Sequence, residues 1–389
     1  MPKISEQVRA LPFSGIRKFF DVANEVPGVI SLGVGEPDYL TPWSAREAAI
    51  YNLEHGRTVY SSNAGLPELR KEISKYLERS FGLSYDPADQ ILVTVGASEG
   101  IDLAMRALID PGDEVLVHEP CYVSYKPCVA LAGGVPVPIA TKAGSDFRLT
   151  PEELLAAITP KTRALILSYP NNPTGAVMRA PDLAKLADIL RDRDIAVVSD
   201  EIYAELTYSG RHVSIASFPG MAEKTVVLNG FSKASAMTGW RLGYAAGPKD
   251  IVSAMLKVHQ YTIMCAPTTS QYAGIEALRS CGGAVAAMRE DYDARRRVVL
   301  NGFREIGLPA FEPLGAFYIF PSLSATGLSS EEFSNRLLFE SKVAVVPGTA
   351  FGGSGEGFIR CSYAYSIDSL KAALERIGDF ARKLPNRCE

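Results

Sequence analysis

The sequence predicts an α/β protein: a large domain whose mostly parallel sheet is sandwiched by helices, plus a smaller α+β domain. Three observations predict it. First, short apolar runs alternate with longer helical patterns through the middle of the chain. "QILVTVG" (90–96) leads into "ASEGIDLAMRALI", and "DEVLVHEP" (113–120), "ALILSYP" (164–170), "DIAVVSDEIY" (194–203) and "KTVVLNGFSK" (224–233) follow. Strands spaced by helices imply crossover connections and a parallel sheet. Second, several of these runs are apolar at consecutive positions, the mark of strands covered on both faces. Third, the pattern changes after "EALRSCGG". A long amphipathic helix, "AVAAMREDYDARRRVVLNGFREIG", precedes "GAFYIFP", the helical "SSEEFSNRLLFES", "VAVVPG", "GFIRCSYA" and a last helix from about Ile367. The expected division is residues 1–44 as an N-terminal arm with part of the small domain, 45–284 as the large domain, and 285–389 as the C-terminal small domain.

The totals narrow the function classes. At 389 residues, with 47% hydrophobic and 22% charged residues, the chain has the composition of a globular protein with a substantial core. A formal charge of −4 argues against a general polyanion binder, so no nucleic-acid partner is expected. No apolar run approaches the ~18 residues that span a bilayer. The opening "MPKISEQVRALPFSG" lacks an apolar signal core, so a cytoplasmic, membrane-free location is expected. Six cysteines, without CxxC spacing, read as free thiols in a reducing compartment. His55, His118, His212 and His259 have no metal-like spacing, and no metal is expected.

Four strand ends carry unusual polar residues, and ligands of open α/β sheets sit at the carboxyl ends of strands. In "TVGASEG" the small residues Gly96, Ala97 and Ser98 open a helix, where backbone N–H groups and the helix dipole favour an anion. "YPNNPTG" places Asn172 in a rigid turn, "VSDEIYAEL" ends a strand on Asp200 with Tyr203 three residues on, and "FSKASAMTGWRLGY" holds Lys233 with Arg241 eight residues later. Each alone is an ordinary turn, cap or surface lysine. Together they meet the needs of pyridoxal phosphate: an amine to form the Schiff base and an acid to keep the ring nitrogen protonated. The remaining needs are donors for the phenolic oxygen, an aromatic face such as Tyr122 in "EPCYVSY", and a phosphate cradle.

With these motifs the chain resembles the fold-type I, class I/II pyridoxal-phosphate aminotransferases over nearly its whole length. "LGVGEPD", "YSSNAGLPELR", "PNNPTG", "SDEIYAEL", "FSKASAMTGWRLGY", "GAFYIFP", "VAVVPG" and "FIRCSYA" fall in the family's order. The resemblance implies that Lys233 is the Schiff-base lysine and proton shuttle and that Asp200 partners the ring nitrogen. Tyr203 and Asn172 bind the phenolic oxygen, and Tyr122 stacks on the ring. Arg241, Ser98 and the amide of Ala97 hold the phosphate, as does Tyr60 from the neighbouring subunit of a homodimer. Arg360 forks onto the substrate α-carboxylate, a bidentate role lysine fills poorly, with Gly35 and Asn172 beside it. Gly230 departs from the hydroxyl residue many relatives have three before the lysine, so the cradle has one bond fewer. Features such as "SGIRKFFD" and "MLKVHQYTIMCAPTTSQ" resemble the aromatic and N-acetyl-LL-diaminopimelate aminotransferase subgroup.

The resemblance implies a ping-pong transfer from an L-amino acid to a 2-oxo acid such as 2-oxoglutarate. Aromatic or long-chain donors are favoured, because Ser98 and Glu99 supply no second cation for a distal carboxylate. The side-chain pocket is expected from Phe13–Arg17, Phe19, Tyr39 and the partner's Tyr261–Ala266 region, with Arg17 the one candidate for a distal charge. An aspartate aminotransferase and a β-lyase on the same fold are the alternatives. A dinucleotide-binding domain fails on "GVGEPD", where Asp38 replaces the third glycine. No GxxxxGK[ST] loop occurs, and residues 1–30 are too short for the DNA-binding domain that a regulator on this fold carries.

Overall fold

The computed structural model describes residues 2–13, 15–16 and 26–384. In chain order its strands are β1 (Ile30–Ser31), β2 (Ile91–Thr94), β3 (Glu114–Glu119), β4 (Val135–Ala140), β5 (Thr162–Ser168) and β6 (Ala196–Asp200). They continue with β7 (Thr225–Gly230), β8 (Gly243–Ala246), β9 (Tyr318–Ile319), β10 (Val343–Ala344), β11 (Val346–Pro347) and β12 (Ile359–Ser362). Among the described residues the main sheet has seven strands in the order β2-β8-β7-β6-β5-β3-β4. All neighbours are parallel except β8, which runs antiparallel to both β2 and β7. The expected mostly parallel, helix-covered sheet is what the chain forms.

Consecutive apolar residues do what covered strands require: alternate side chains enter opposite cores. Val115, Val117, Ile166, Val198, Val226 and Leu228 face one side, against Ile101, Met105, Val252 and Met255 of the helices Gly96–Leu108 and Lys249–Thr262. Leu116, Leu165, Leu167 and Val197 face the other, against Leu183, Leu186 and Leu190 of Ala180–Leu190. Toward the β2 edge, Val93, Val227 and Tyr244 meet Leu69, Ile73 and Leu77 of Pro67–Phe81. Each fully buried Leu, Ile or Val stabilises by roughly 1.5–3 kcal/mol. The sheet is therefore rigid, and its carboxyl ends are fixed points.

A separate core gathers the C-terminal elements with the first strand. The helix Gly282–Ile306 ends at Gly307, whose φ of +85° closes it, and contributes Met288, Tyr292, Val299 and Phe303. These pack on β9, β12 and the helices Ser330–Ser341 and Ile367–Arg382 through Phe317, Phe333, Ile359 and Ile377. β9 and β11 flank β12 in a small antiparallel sheet, and β1 pairs with β10. Tyr203, from the main sheet's side, is also part of this core. The two cores meet at that tyrosine. Among the described residues no helix is long and apolar enough to cross a membrane, and the five described cysteines are free.

Candidate active site

A cavity of about 590 Å³ opens where the carboxyl ends of the sheet strands face the small core. Its lining contains Gly35, Ala97, Ser98, Tyr122, Asn172, Asp200, Tyr203, Lys233, Arg241 and Arg360. All the residues inferred for one subunit's site thus converge. Tyr60 does not line it; it is 79% exposed, on the same outer surface as Tyr261 at 87%. Tyr39 is also elsewhere. Its ring lies edge-on to Tyr292 at 5.6 Å and its hydroxyl donates to Asp291. Of the N-terminal segment, Ile16 lines the cavity, while Phe13 lines a neighbouring one beside Tyr122. Arg17 and Phe19 lie outside the described residues.

Lys233 follows β7, in the turn after Gly230, and its Nζ donates to the Gly35 carbonyl at 2.6 Å. The ammonium stands 5.8 Å from the ring centres of Tyr203 and Phe317. Burial disfavours its charge, and the Arg360 and Arg241 cations add to this, so its pKa falls to about 8. Asp200, the last residue of β6, is only 4% exposed. Burial pushes its carboxyl up to about 6, against the pull of the Tyr125 hydroxyl and the Ile202 amide. Tyr125 donates to Oδ2 at 2.8 Å. This partner was missed in the sequence, although a second tyrosine three residues beyond Tyr122 at a helix start was a visible signal.

The anion cradle is built from the start of Gly96–Leu108. Gly96 has φ +73°, and a Cβ there would come within 2.5 Å of Arg241 Nη2, so only glycine lets the guanidinium lie against the helix start. Arg241 itself has φ +51°, which turns it back toward that helix, and its Nη1 donates to the Thr238 carbonyl at 3.1 Å. Ala97 and Ser98 complete the cradle. Tyr203 Oη lies 2.8 Å from Tyr318 Oη. "GAFYIFP" had drawn attention to that strand but not to this hydroxyl.

Arg360, in β12, is 2% exposed. Its guanidinium is sandwiched between Tyr318, at 4.6 Å from the ring centre, and Phe351, at 4.8 Å. Nη1 donates to Asn172 Oδ1 at 2.9 Å and Nη2 to the Gly33 carbonyl, while Nε is buried with no partner among the described residues. Asn172 therefore accepts from Arg360 and keeps its amide N–H₂ as the donor end. A Cβ on Gly35 would meet the Tyr318 hydroxyl at 2.5 Å, so glycine is required there. Among the described residues no group of His, Cys, Asp or Glu side chains could hold a metal ion.

A buried carboxylate, a lysine of lowered pKa, paired phenols and an anion cradle at the ends of parallel strands define a site for carbonyl and amine chemistry. Comparison with known proteins identifies the class. The family model described as aminotransferase class I and II matches residues 27–377. YugH, a putative aminotransferase of Bacillus subtilis, is 52% identical over 380 residues, covering 98% of each chain. The aromatic-amino-acid aminotransferase 2 of Thermococcus litoralis is 45% identical over 96% of this chain and 97% of its own. The solved aspartate aminotransferase of Thermus thermophilus with maleate has a TM-score of 0.93 at 41% identity, over 98% of this chain and all of the other. The chain belongs to the class I and II aminotransferases of fold-type I and is a transaminase. That family is in general pyridoxal-phosphate dependent, and the lining offers what such a group needs: an amine, a buried acid for its ring nitrogen, and an anion site walled by Gly96 and Arg241.

Proposed function

We propose that the protein moves an amino group from an aromatic or long-chain L-amino acid to a 2-oxo acid such as 2-oxoglutarate, alternating between the two substrates with bound pyridoxal phosphate. The observation that carries the donor class is the charge of the lining. Its cations among the described residues are Lys233, Arg241 and Arg360. On this reading all three are already committed, to the amine, the phosphate and the α-carboxylate. The rest of the wall mixes apolar and aromatic side chains, among them Ile16, Val34, Ile101, Tyr122, Ile202 and Tyr318, with uncharged polar groups and the two carboxylates Glu36 and Asp200. A distal carboxylate entering it would lose hydration with no spare cation among the described residues to meet it, and would face Glu36.

When bound, pyridoxal phosphate supplies the electron sink that lets a bond to the substrate α-carbon break. Asp200 would hold the proton at the ring nitrogen, and Tyr203 and Asn172 would donate to the phenolic oxygen. Ala97, Ser98 and Arg241 would bind the phosphate, with Tyr122 against the ring. Arg360 fixes the α-carboxylate and so aims the α-hydrogen at Lys233. With its pKa lowered to about 8, Lys233 Nζ is neutral in a minor but far larger fraction than an ordinary lysine at neutral pH, and in that form can take the proton and return it. Ammonia release from an amino acid without an acceptor keto acid would instead favour a lyase.

The working unit is proposed to be a homodimer. Leu40, Trp43, Tyr51, Val59, Tyr60 and Tyr261 are large exposed side chains. The segments of Val59, Tyr60 and Tyr261 are joined by Thr268 Oγ1 to the Val59 carbonyl and Asn63 Nδ2 to the Met264 carbonyl, each at 2.8 Å. A face so apolar is characteristic of an interface, and Tyr60 lies on it, able to serve the neighbouring site. A fully active monomer in sedimentation would overturn this. A donor screen against 2-oxoglutarate tests the substrate. We expect aromatic or long-chain donors to exceed aspartate at least tenfold in kcat/KM, about 1.4 kcal/mol in transition-state binding, and the reverse order would discard this pocket reading.

A further inference from the structure

We propose that Tyr318 is a positioning residue that acts through Tyr203: the two phenols form a relay in which Tyr318 donates to Tyr203 when the cavity is loaded. The inference rests on the cofactor reading above. Tyr318 is 1% exposed and touches three parts of the site. Its hydroxyl lies 2.8 Å from Tyr203 Oη and packs on Gly35, where a Cβ would come within 2.5 Å of it. Gly35 is also the residue whose carbonyl holds Lys233 Nζ. Its ring, meanwhile, carries the Arg360 guanidinium at 4.6 Å.

Without a ligand, either hydroxyl of the pair can be the donor. A phenol has one proton to give. If Tyr203 turns that proton toward an acceptor oxygen in the cavity, its own oxygen becomes free to accept. Tyr318 then faces that oxygen with its proton available, and Gly35 and Arg360 fix it in place on its other sides. Arg360 offers only donors, so Tyr203 is the acceptor in reach. A phenol that receives a hydrogen bond donates more strongly, by perhaps a tenth to a third per bond. The charged and titratable groups acting on the pair are Arg360 and Asp200 at Tyr203, and Arg360, Tyr122 and Tyr365 at Tyr318. Lys233 stands over the Tyr203 ring.

Tyr318→Phe removes the hydroxyl and keeps the ring on Arg360, so folding and carboxylate binding are preserved. The holoenzyme is titrated by the absorbance of its yellow, lysine-linked cofactor. Donation by Tyr203 favours the deprotonated form of that chromophore. Weakening it should therefore raise the midpoint, by about 0.5 pH unit for Tyr318→Phe and by more for Tyr203→Phe, with KM for amino acids unchanged. In a Tyr203→Phe background, Tyr318→Phe should shift nothing further. An unchanged midpoint in Tyr318→Phe, or shifts that add in the double variant, overturns the relay. A wild-type protein that binds no lysine-linked chromophore overturns the cofactor reading and the relay with it. A normal chromophore with no response to Tyr318→Phe overturns the relay alone.

Discussion

The cavity has two unlike walls. One is the carboxyl edge of the main sheet, which presents Ala97, Ser98, Asn172, Asp200, Tyr203 and Lys233 from strand ends and the turns just beyond them. The other comes from the small core and the strap between β1 and the helix Trp43–Glu54, and presents Gly35, Tyr318 and Arg360. The first wall is held by strands that are buried almost throughout. In the second, Tyr318 and Arg360 sit in the buried strands β9 and β12, while the strap is held by polar links made one at a time. The Val34 amide donates to Tyr365 at 3.2 Å, Asp38 pairs with Arg295 at 2.7 Å, Thr238 donates to Glu36 at 3.0 Å, and Thr41 donates to the Ala236 carbonyl at 2.7 Å. The groups proposed to hold the cofactor thus sit on rigid strand ends, and the proposed carboxylate fork, Arg360, sits in a buried strand beside a strap anchored to both cores. Lys233 crosses between them through the Gly35 carbonyl.

The largest expected effect breaks the sheet wall. Lys233→Ala removes both the covalent attachment and the base, so transamination should fall by more than the ~10²–10⁴-fold typical of general acid–base help alone. The yellow absorbance should vanish or become that of a non-covalently held form. A borohydride-reducible link surviving at another lysine would reassign the role. Breaking the other wall comes next. Arg360→Ala should lower kcat/KM by about 10²–10⁴-fold, since two charge-assisted hydrogen bonds at ~1.5–3 kcal/mol each are lost. Every donor should suffer alike. Arg360→Lys should rescue little, because an ammonium cannot fork and stacks poorly between Tyr318 and Phe351. A loss confined to aromatic donors would mean that Arg360 reads side chains instead.

The same contrast explains what was legible in the sequence. The sheet wall could be read because each of its residues ends an apolar run, and an ionisable residue at such a place stands out. Asp200 after "AVVS" and Lys233 shortly after "TVVLNG" are examples. Arg360, in an equally apolar setting, was found through its motif, but the aromatic sandwich around it was not, since Tyr318 and Phe351 are 42 and 9 residues away in the chain. Tyr125 and Tyr318 were hidden for a related reason: a buried phenol looks like core until its hydroxyl is seen to have a polar partner. Tyr39 was expected in the side-chain pocket, whereas Asp291, Tyr292 and Arg295 of the long helix hold it outside the cavity. No local pattern encodes that pairing.

Asp200→Asn sharpens the comparison, because the rigid wall should store strain that the cofactor relieves. In the cofactor-free protein the Asp200 carboxyl is raised to about 6 by burial. A carboxyl raised on folding favours the protonated state, so its ionisation costs stability progressively as pH climbs from about 4 through 6. Two pH units at 1.36 kcal/mol each set a ceiling of about 3 kcal/mol. Cofactor-free Asp200→Asn should therefore unfold at a higher temperature than wild type at pH 7.5, with the difference gone near pH 4. The loaded enzyme should show the opposite, with weaker cofactor affinity and activity down by about 10²-fold, as when one preorganised electrostatic contact is removed. Equal melting temperatures at pH 7.5 would show that Asp200 carries no such cost.

The smallest effect concerns Tyr125, and it separates a hydroxyl that tunes Asp200 from one that merely fills space. Its hydroxyl donates to Asp200 Oδ2 at 2.8 Å, and its ring meets Tyr122 edge-on at 5.6 Å. Tyr125→Phe keeps the ring contact and deletes only the donor. A hydrogen bond to a charged group is worth about 1.5–3 kcal/mol, so the Asp200 carboxyl should rise by roughly one further pH unit. Pyridoxal phosphate binding needs that carboxylate ionised. Its affinity should therefore fall off on the acid side at a pH about one unit higher than in wild type, with little change above pH 8. Activity at neutral pH should drop about tenfold or less, with KM for the amino acid unchanged, since Tyr125 does not touch the carboxylate fork. Direct titration of cofactor binding between pH 5 and 9 measures this. If the profile stays in place while thermal stability falls, the Tyr125 hydroxyl serves packing alone and Asp200 is set by its burial.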